Sequence, residues 1–266
     1  MKTITFSDLG LRIAASLVLV SCLPTMGIAQ TTAVSTPAAV ADVPAHAHGF
    51  DYADQKAWRI ESGESQSPIA IVTKDLKLAE RTADENDAIK LHIASGSADV
   101  IDNGHTIQVI PKNSTATIRG RHFTLQQAHW HAPAEHTVDG KRYPLEGHFV
   151  FKAEDGRLAV IAVFYEEGAE NAQFDAIANA AQRDKTVPLA NFTAESLLPR
   201  STSTYYHYDG SLTTPPLTEN VEWYILAKPA QLSAKDIADF TKSYAHNARD
   251  QQPLNERPVL KYQDVK

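Results

Sequence analysis

The chain has 266 residues, 43% of them hydrophobic and 21% charged, a balance that suits a soluble globular protein with a sizeable core in one or two domains. Its formal net charge is −7 and it carries no basic run, which argues against nucleic acid as a partner. The single cysteine, Cys22, falls in the leader, so thiolate catalysis, Cys-ligated zinc and an intramolecular disulfide are all excluded from the folded part.

In chain order, Lys2 and Arg12 precede an apolar run over residues 13–20, too short to span a bilayer and suited to an export signal. Two processing readings stand side by side. Gly27-Ile28-Ala29 is a small-x-small site, giving a signal peptide of residues 1–29 and a soluble product that begins at Gln30. Leu19-Val20-Ser21-Cys22 has the form of a bacterial lipobox, giving a signal of residues 1–21 and a lipid anchor on Cys22. Both predict a periplasmic or otherwise exported protein with no transmembrane span after processing, and the second predicts an outer-membrane lipoprotein. Residues 30–45, rich in Ala, Thr and Pro, read as a flexible linker, and residues 46–266 as the folded domain. His46 and His48 read as surface residues on a loose arm, with zinc binding or storage as the weaker alternative. Trp58 reads as a core anchor for the N-terminal segment, and Gln66-Ser67-Pro68-Ile69 leads into a short apolar strand.

From Ile89 onward the apolar period is mostly two, which predicts short strands at residues 89–93, 106–110 and 116–118. Residues 127–150 then concentrate the chemistry. His129 and His131 are two apart and leave one face of a strand together with Gln127. After a turn at Asp139-Gly140, Glu146, His148 and Val150 share a face of a second strand. If the two strands pair, three imidazoles converge on one point. Three neutral imidazoles leave the charge of a zinc ion uncompensated and a fourth position open for water and substrate. Copper or cobalt would accept the same donors, but a tetrahedral site of three histidines and a water favours Zn2+. Gln127 and Glu146, each two residues before a ligand, can accept from the far nitrogens of His129 and His148. Histidine-rich strands also occur without metal, so the spacing alone leaves that alternative open.

Residues 158–165, LAVIAVFY, predict a buried central strand. Phe174, Ile177, Ala178 and Ala181 recur at helical spacing within residues 170–182, and strand character returns over residues 205–226 around a Gly-Ser-Leu-Thr-Thr-Pro-Pro loop. Ser233 opens a second helix with Asp236 as its capping partner and Ile237, Phe240 and Tyr244 on one face. No repeat and no linker divide the chain after residue 45. The expectation is one mainly β domain with a few peripheral helices.

Several segments taken in order resemble the α-class carbonic anhydrases of exported bacterial type: Gln66-Ser67-Pro68-Ile69, Asn103-Gly104-His105, His129-Trp130-His131, Glu135-His136-Thr137, Glu146-Gly147-His148, residues 210–216, and Gln252-Pro253-Leu254-Asn255. The similarity extends from about Phe50 to Arg257. It implies a twisted, mostly antiparallel central sheet, and zinc-dependent reversible hydration of carbon dioxide to bicarbonate and a proton, with side esterase activity. His129, His131 and His148 match the zinc ligands. Thr213 matches a gatekeeper that accepts a hydrogen bond from zinc-bound hydroxide and donates its own to Glu135. His105 matches the proton shuttle, a group that titrates near neutral pH. Val150, Val160, Leu212, Val221 and Trp223, with Thr214, match the carbon dioxide pocket. Without the resemblance, Thr213 is a turn threonine, Glu135 a loop acid, His105 a surface-turn histidine, and the Val/Leu/Trp set plain core. The chain also departs from the pattern. Glu61 and Leu217 stand where exported bacterial members join two cysteines, Phe50 where a tryptophan is usual, and Asp250 where a proline is. The contrasting functional class is a non-catalytic binding or adhesion relative, which typically loses a ligand histidine; all three are present here.

Overall fold

The computed structural model describes residues 50–59, 63–79, 89–92 and 96–263, all within one compact unit of residues 42–266. The signal readings, Cys22, the linker, His46, His48 and Glu61 lie outside the described residues. Among the described residues, no helix is long and apolar enough to cross a membrane.

Alternating sequence becomes strand along most of the chain. A 3-10 segment, Tyr52–Ala57, precedes β1 (Ala70–Ile71), β2 (Lys77–Leu78), β3 (Ile89–His92), β4 (Gly96–Asp102), β5 (Ile107–Pro111) and β6 (Thr115–Ile118). The histidines fall on β7 (Arg121–His131) and β9 (Leu145–Lys152), with the short β8 (Thr137–Val138) between them. Then follow β10 (Leu158–Glu167), helix α1 (Ala172–Ala180), β11 (Thr186–Phe192), β12 (Tyr205–Ser211), β13 (Glu219–Leu226), β14 (Ala230–Leu232), helix α2 (Ala234–Ser243) and β15 (Leu260–Tyr262).

Among the described residues thirteen strands form one sheet, with the path β11-β4-β5-β7-β9-β10-β13-β12-β15-β2. Its pairings are antiparallel except β10 with β13 and β14, and β15 with β2, which are parallel. β10 is central and lies between antiparallel β9 and parallel β13. Both its faces are covered, which is why its sequence is a continuous apolar run and not an alternating one.

The two faces have different covers. Trp130, Phe149, Phe151, Ile161 and Val163 pack toward Phe174 and Ile177 of α1 and Phe240 of α2. On the other face Val150, Val160, Ala162, Phe164, Val221 and Trp223 meet Ile69 and Ile71 of the N-terminal segment. The histidines share this second face.

Local chemistry sets the ends of the helices. Asn171 caps α1 by accepting from the amides of Gln173 and Phe174, both at 3.1 Å. The helix is shorter than the expected 170–182, because Ala181 is already extended. Ser233 caps α2 as expected: its Oγ accepts from the Asp236 amide at 3.1 Å and donates to Asp236 Oδ2 at 2.7 Å.

Two expectations need correction. Asp139 and Gly140 do form a tight turn, with φ of 48° and 78° and Val138 and Lys141 hydrogen-bonded both ways. The turn joins β8 to Lys141 and not β7 directly to β9, because the chain leaves the sheet after His131. It serves instead to dock the N-terminal segment: Asp139 accepts from the Thr73 amide at 2.7 Å and hydroxyl at 2.6 Å. Trp58 is half-buried and belongs to neither core cluster; it meets Phe50 and Tyr52 edge-on, at 5.2 and 5.3 Å between centroids.

Candidate active site

The register of β7 against β9 brings the histidines together. His129 lies opposite His148, His131 opposite Glu146, and Gln127 opposite Val150, just past a bulge after Leu125. The row continues across the sheet, with Val160 of β10 opposite Val150 and Trp223 of β13 opposite Val160. One row of side chains therefore runs from amide to aliphatic wall to indole, beside three imidazoles.

Each imidazole has one nitrogen committed. His129 Nδ1 lies 2.8 Å from Gln127 Oε1, His131 Nδ1 2.7 Å from the main-chain oxygen of Asn247, and His148 Nε2 2.9 Å from Glu146 Oε1. Because these three partners can only accept, each fixes the proton on its own side of the ring and leaves the opposite nitrogen as a lone-pair donor. His129, His131 and His148 each offer a ligand atom within 4.8 Å of the others. His131 Nε2 is buried with no hydrogen-bond partner, a costly condition that a metal bond relieves. Burial also pushes the His131 pKa down, against the pull of Glu135, so the ring is held neutral and ready to ligate. His136, Glu146 and His148 lie equally close together, but hydrogen bonds there use the donors. The residues present fit a zinc ion at the three-histidine site.

Glu146 is fully buried and serves two rings. Its Oε1 takes His136 Nδ1 at 2.7 Å as well as His148 Nε2, and its Oε2 accepts the His136 amide at 2.8 Å. Burial alone would raise this carboxyl; the His136 and His148 rings outweigh it and hold the group well below the ordinary range. His136 Nε2 in turn meets Tyr208 Oη at 2.7 Å.

A cavity of about 30 Å³ opens beside these rings, lined by Gln127, His129, His148, Val150, Val160, Trp223 and the loop Leu212–Pro216. That is room for one or two water-sized molecules. Of the expected pocket residues, Val150, Val160, Leu212, Thr214 and Trp223 line it. Val221 is not among the lining residues: it is fully buried, opposite Leu158 and Gly210, in the same apolar cluster as Val150, Val160 and Trp223. Trp223 donates Nε1–H to the Ser211 carbonyl at 2.9 Å, which ties the cavity wall to the start of the loop.

Glu135 is fully buried, and its Oε1 accepts the Arg249 amide at 2.7 Å. Its Oε2 has no hydrogen-bond partner and lies 3.9 Å from His148 Nδ1. The expected bond from Thr213 to Glu135 is thus not made in this structure, although Thr213 is buried at the cavity and an acceptor stands open. His105 is half-buried and stacks on Phe50 at 4.2 Å and 14°. Its turn is held by Asn103 Oδ1, which accepts from the His105 and Thr106 amides at 3.0 Å each. Asn247, His136 and Arg249 were not singled out from sequence. Only His136, adjacent to Glu135 within a matching motif, carried any signal.

The loop after β12 is stitched to the N-terminal segment. Glu219 Oε1 accepts the Ser65 amide at 2.7 Å and Gln66 Nε2 at 3.0 Å, and Gln66 Nε2 also reaches the Leu217 carbonyl at 3.2 Å. Gly63 sits against this carboxylate at φ 82°, where an added Cβ would clash with Glu219 Oε2.

Comparison with known proteins agrees with this geometry. The family model for eukaryotic-type carbonic anhydrase matches residues 53–263. A carbonic anhydrase of Pectobacterium carotovorum is 41% identical over 211 residues, covering 75% of this chain and 81% of that protein. One from Klebsiella pneumoniae is 40% identical with the same coverage of each. Among solved structures, an α-carbonic anhydrase from Thermovibrio ammonificans, bound to the inhibitor sulfanilamide, superposes with a TM-score of 0.69 at 36% identity. It covers 74% of this chain and 87% of that one. With three imidazoles converging beside a small, largely apolar cavity on a sheet of this topology, the chain belongs to the α-class carbonic anhydrases and is a lyase of that family.

Proposed function

We propose that the protein is an exported zinc enzyme that converts carbon dioxide and water reversibly into bicarbonate and a proton. The observation that carries this is the set of three histidines on β7 and β9, each with one nitrogen occupied by a fixed acceptor, one of them with its other nitrogen buried and unpartnered. Zinc held by three neutral imidazoles supplies a Lewis acid that makes a water molecule nucleophilic near neutral pH.

The chain does the rest. Gln127, Glu146 and the Asn247 carbonyl aim the rings. Val150, Val160, Leu212 and Trp223 give a small linear apolar molecule a site that rejects larger ones. Thr213, buried at the cavity, would donate its hydroxyl hydrogen to Glu135 Oε2, which has no donor in this structure, once a bound hydroxyl donates to the threonine oxygen. His105, half-buried on its turn, takes up the proton released in each cycle and passes it to buffer. The same nucleophile supports slow hydrolysis of small activated esters.

Stopped-flow hydration on zinc-quantified protein, with and without sulfanilamide, tests the reading. Stoichiometric zinc without hydration would overturn it and favour a binding module. His105→Ala should lower turnover at low buffer, with added imidazole restoring it; unchanged turnover would remove His105 from the pathway. Export is tested by fractionation, and a shift of Cys22→Ala from membrane to soluble fractions would establish the lipid anchor over the soluble form.

A further inference from the structure

The turn that carries His105 contains the only Asn-Gly pair in the chain, Asn103-Gly104. Such a pair can rearrange without an enzyme. The glycine nitrogen attacks the side-chain carbon of the asparagine, the new N–C bond closes a succinimide ring, and the carboxamide nitrogen leaves as ammonia. Water then opens the ring at either carbonyl, giving aspartate or isoaspartate. Glycine in second place favours the attack, because no Cβ shields its nitrogen. Here both reacting groups are tied down. Asn103 Oδ1 accepts the His105 and Thr106 amides at 3.0 Å each, and Nδ2 reaches Gln108 Oε1 at 3.4 Å. The Gly104 amide donates to Asp102 Oδ1 at 2.9 Å, and the same oxygen lies 3.3 Å from Arg183 Nη1. Gly104 itself is exposed, with φ of 90°, and an added Cβ would clash with the Arg183 guanidinium. The turn therefore requires its glycine and presents the pair to water.

We infer that Asn103-Gly104 is a modification site at which the folded protein loses its proton relay, and that Asp102 sets the rate. Attack requires the Gly104 amide to leave Asp102 and the Asn103 carboxamide to release two main-chain amides, so it proceeds from the opened turn. The two products differ in what they do to His105. Aspartate keeps an oxygen where Oδ1 stands and leaves the main chain as it was. Isoaspartate routes the main chain through the former side chain, lengthens it by a carbon, and removes the oxygen that holds the His105 and Thr106 amides. Three Asp-Gly pairs, at 139–140, 155–156 and 209–210, would close the same ring only by expelling water, would rearrange without a change in mass, and do not adjoin His105. The loss of relay rests on the reading of His105 as the shuttle; the covalent change does not. His105→Ala is therefore assayed first, and unchanged turnover there refutes that reading and not the site.

The test incubates full-length, zinc-loaded protein at mildly alkaline pH and follows residue 103 by peptide mass mapping and isoaspartate methyltransferase labelling, with the urea-unfolded chain as reference. Isoaspartate should accumulate at residue 103 in the folded protein, more slowly than in the unfolded chain. Asp102→Ala should quicken it by about 10-fold or more, the scale of one hydrogen bond to a charged group. Asp102→Asn, which keeps an acceptor for the Gly104 amide, should lie nearer the parent and serves if the alanine variant fails to fold. Turnover at low buffer should fall in step with the isoaspartate fraction and recover with added imidazole. Freshly made Asn103→Asp should retain more low-buffer turnover than protein fully converted to isoaspartate. The inference is overturned if residue 103 stays unconverted in both the folded parent and the Asp102 variants, or converts at one rate in all of them. Conversion that leaves low-buffer turnover unchanged, where His105→Ala lowers it, would overturn it as well.

Discussion

Replacing Glu146 by glutamine removes very little volume and tests how the site is built. The carboxylate has two oxygens and accepts three N–H groups: His148 Nε2, His136 Nδ1 and the His136 amide. Glutamine offers one oxygen and an NH2 group, so at least one donor loses its acceptor and faces another donor inside the protein. A buried donor left unpaired, together with two bonds that lose charge assistance, costs about 2–4 kcal/mol. For a domain of this size that corresponds to a fall in Tm of roughly 5–15 °C. The apo-protein should show the fall, because the bonds do not depend on metal. Zinc affinity should drop by about 10–100-fold, since the ring of His148 is no longer held. Thermal unfolding of apo- and zinc-loaded forms, with chelator competition, reads both quantities. An apo-variant that melts with the parent and keeps its zinc equally well would refute the claim that this carboxylate organises the site.

Val160→Phe places a ring in a cavity of about 30 Å³ and should lower hydration by about 10-fold or more at full zinc occupancy, while overpacking destabilises by about 1–3 kcal/mol. Parental turnover would take Val160 out of the pocket. Gly63→Ala meets a left-handed φ and the Glu219 carboxylate together, and should lower the urea midpoint by about 1–2 kcal/mol equivalent. An unchanged midpoint would show that the segment is not held there. His207 is buried, stacks on Tyr224 at 4.6 Å and bonds the Trp223 carbonyl through Nδ1 at 3.0 Å; burial pushes its pKa down. A histidine held neutral binds fewer protons folded than unfolded, so its stabilisation is present above the unfolded value of about 6.5 and is lost as pH falls below it. His207→Gln should therefore lose less stability between pH 8 and pH 5 than the parent, by urea titration at the two pH values. Equal losses would exclude His207 as a contributor.

The convergence of the three histidines was legible in sequence because its rule is local. A period of two puts His129 and His131 on one face, and the same rule puts Glu146 with His148. Alternation gives a face but not a depth. Val221 and Trp223 share a strand face, yet two residues along a strand are about 6.8 Å apart, and only Trp223 reaches the cavity. Main-chain acceptors leave no trace in sequence at all, so the Asn247 carbonyl behind His131 could not have been named. β4 and β11 were missed because they are rich in Ser, Asp, Pro and Asn, and β11 lies at the end of the sheet, where a strand need be apolar on one side at most. The roles of Thr213, Glu135 and His105 rest on family resemblance and not on spacing, since none of the three lies on the strands that carry the histidines.

The carboxylate of Glu219 holds the junction between residues 63–66 and the loop ending at Leu217–Glu219 by hydrogen bonds to Ser65 and Gln66. A closure of this kind forms as the chain folds and needs no oxidant. It leaves no sulfur to be scrambled, overoxidised or reduced. With the chain's only thiol at Cys22, ahead of the catalytic domain, that domain can complete its fold in a reducing medium as readily as in an oxidising one. The geometry of the loop ending at Leu217–Glu219 is then independent of the redox poise of its surroundings.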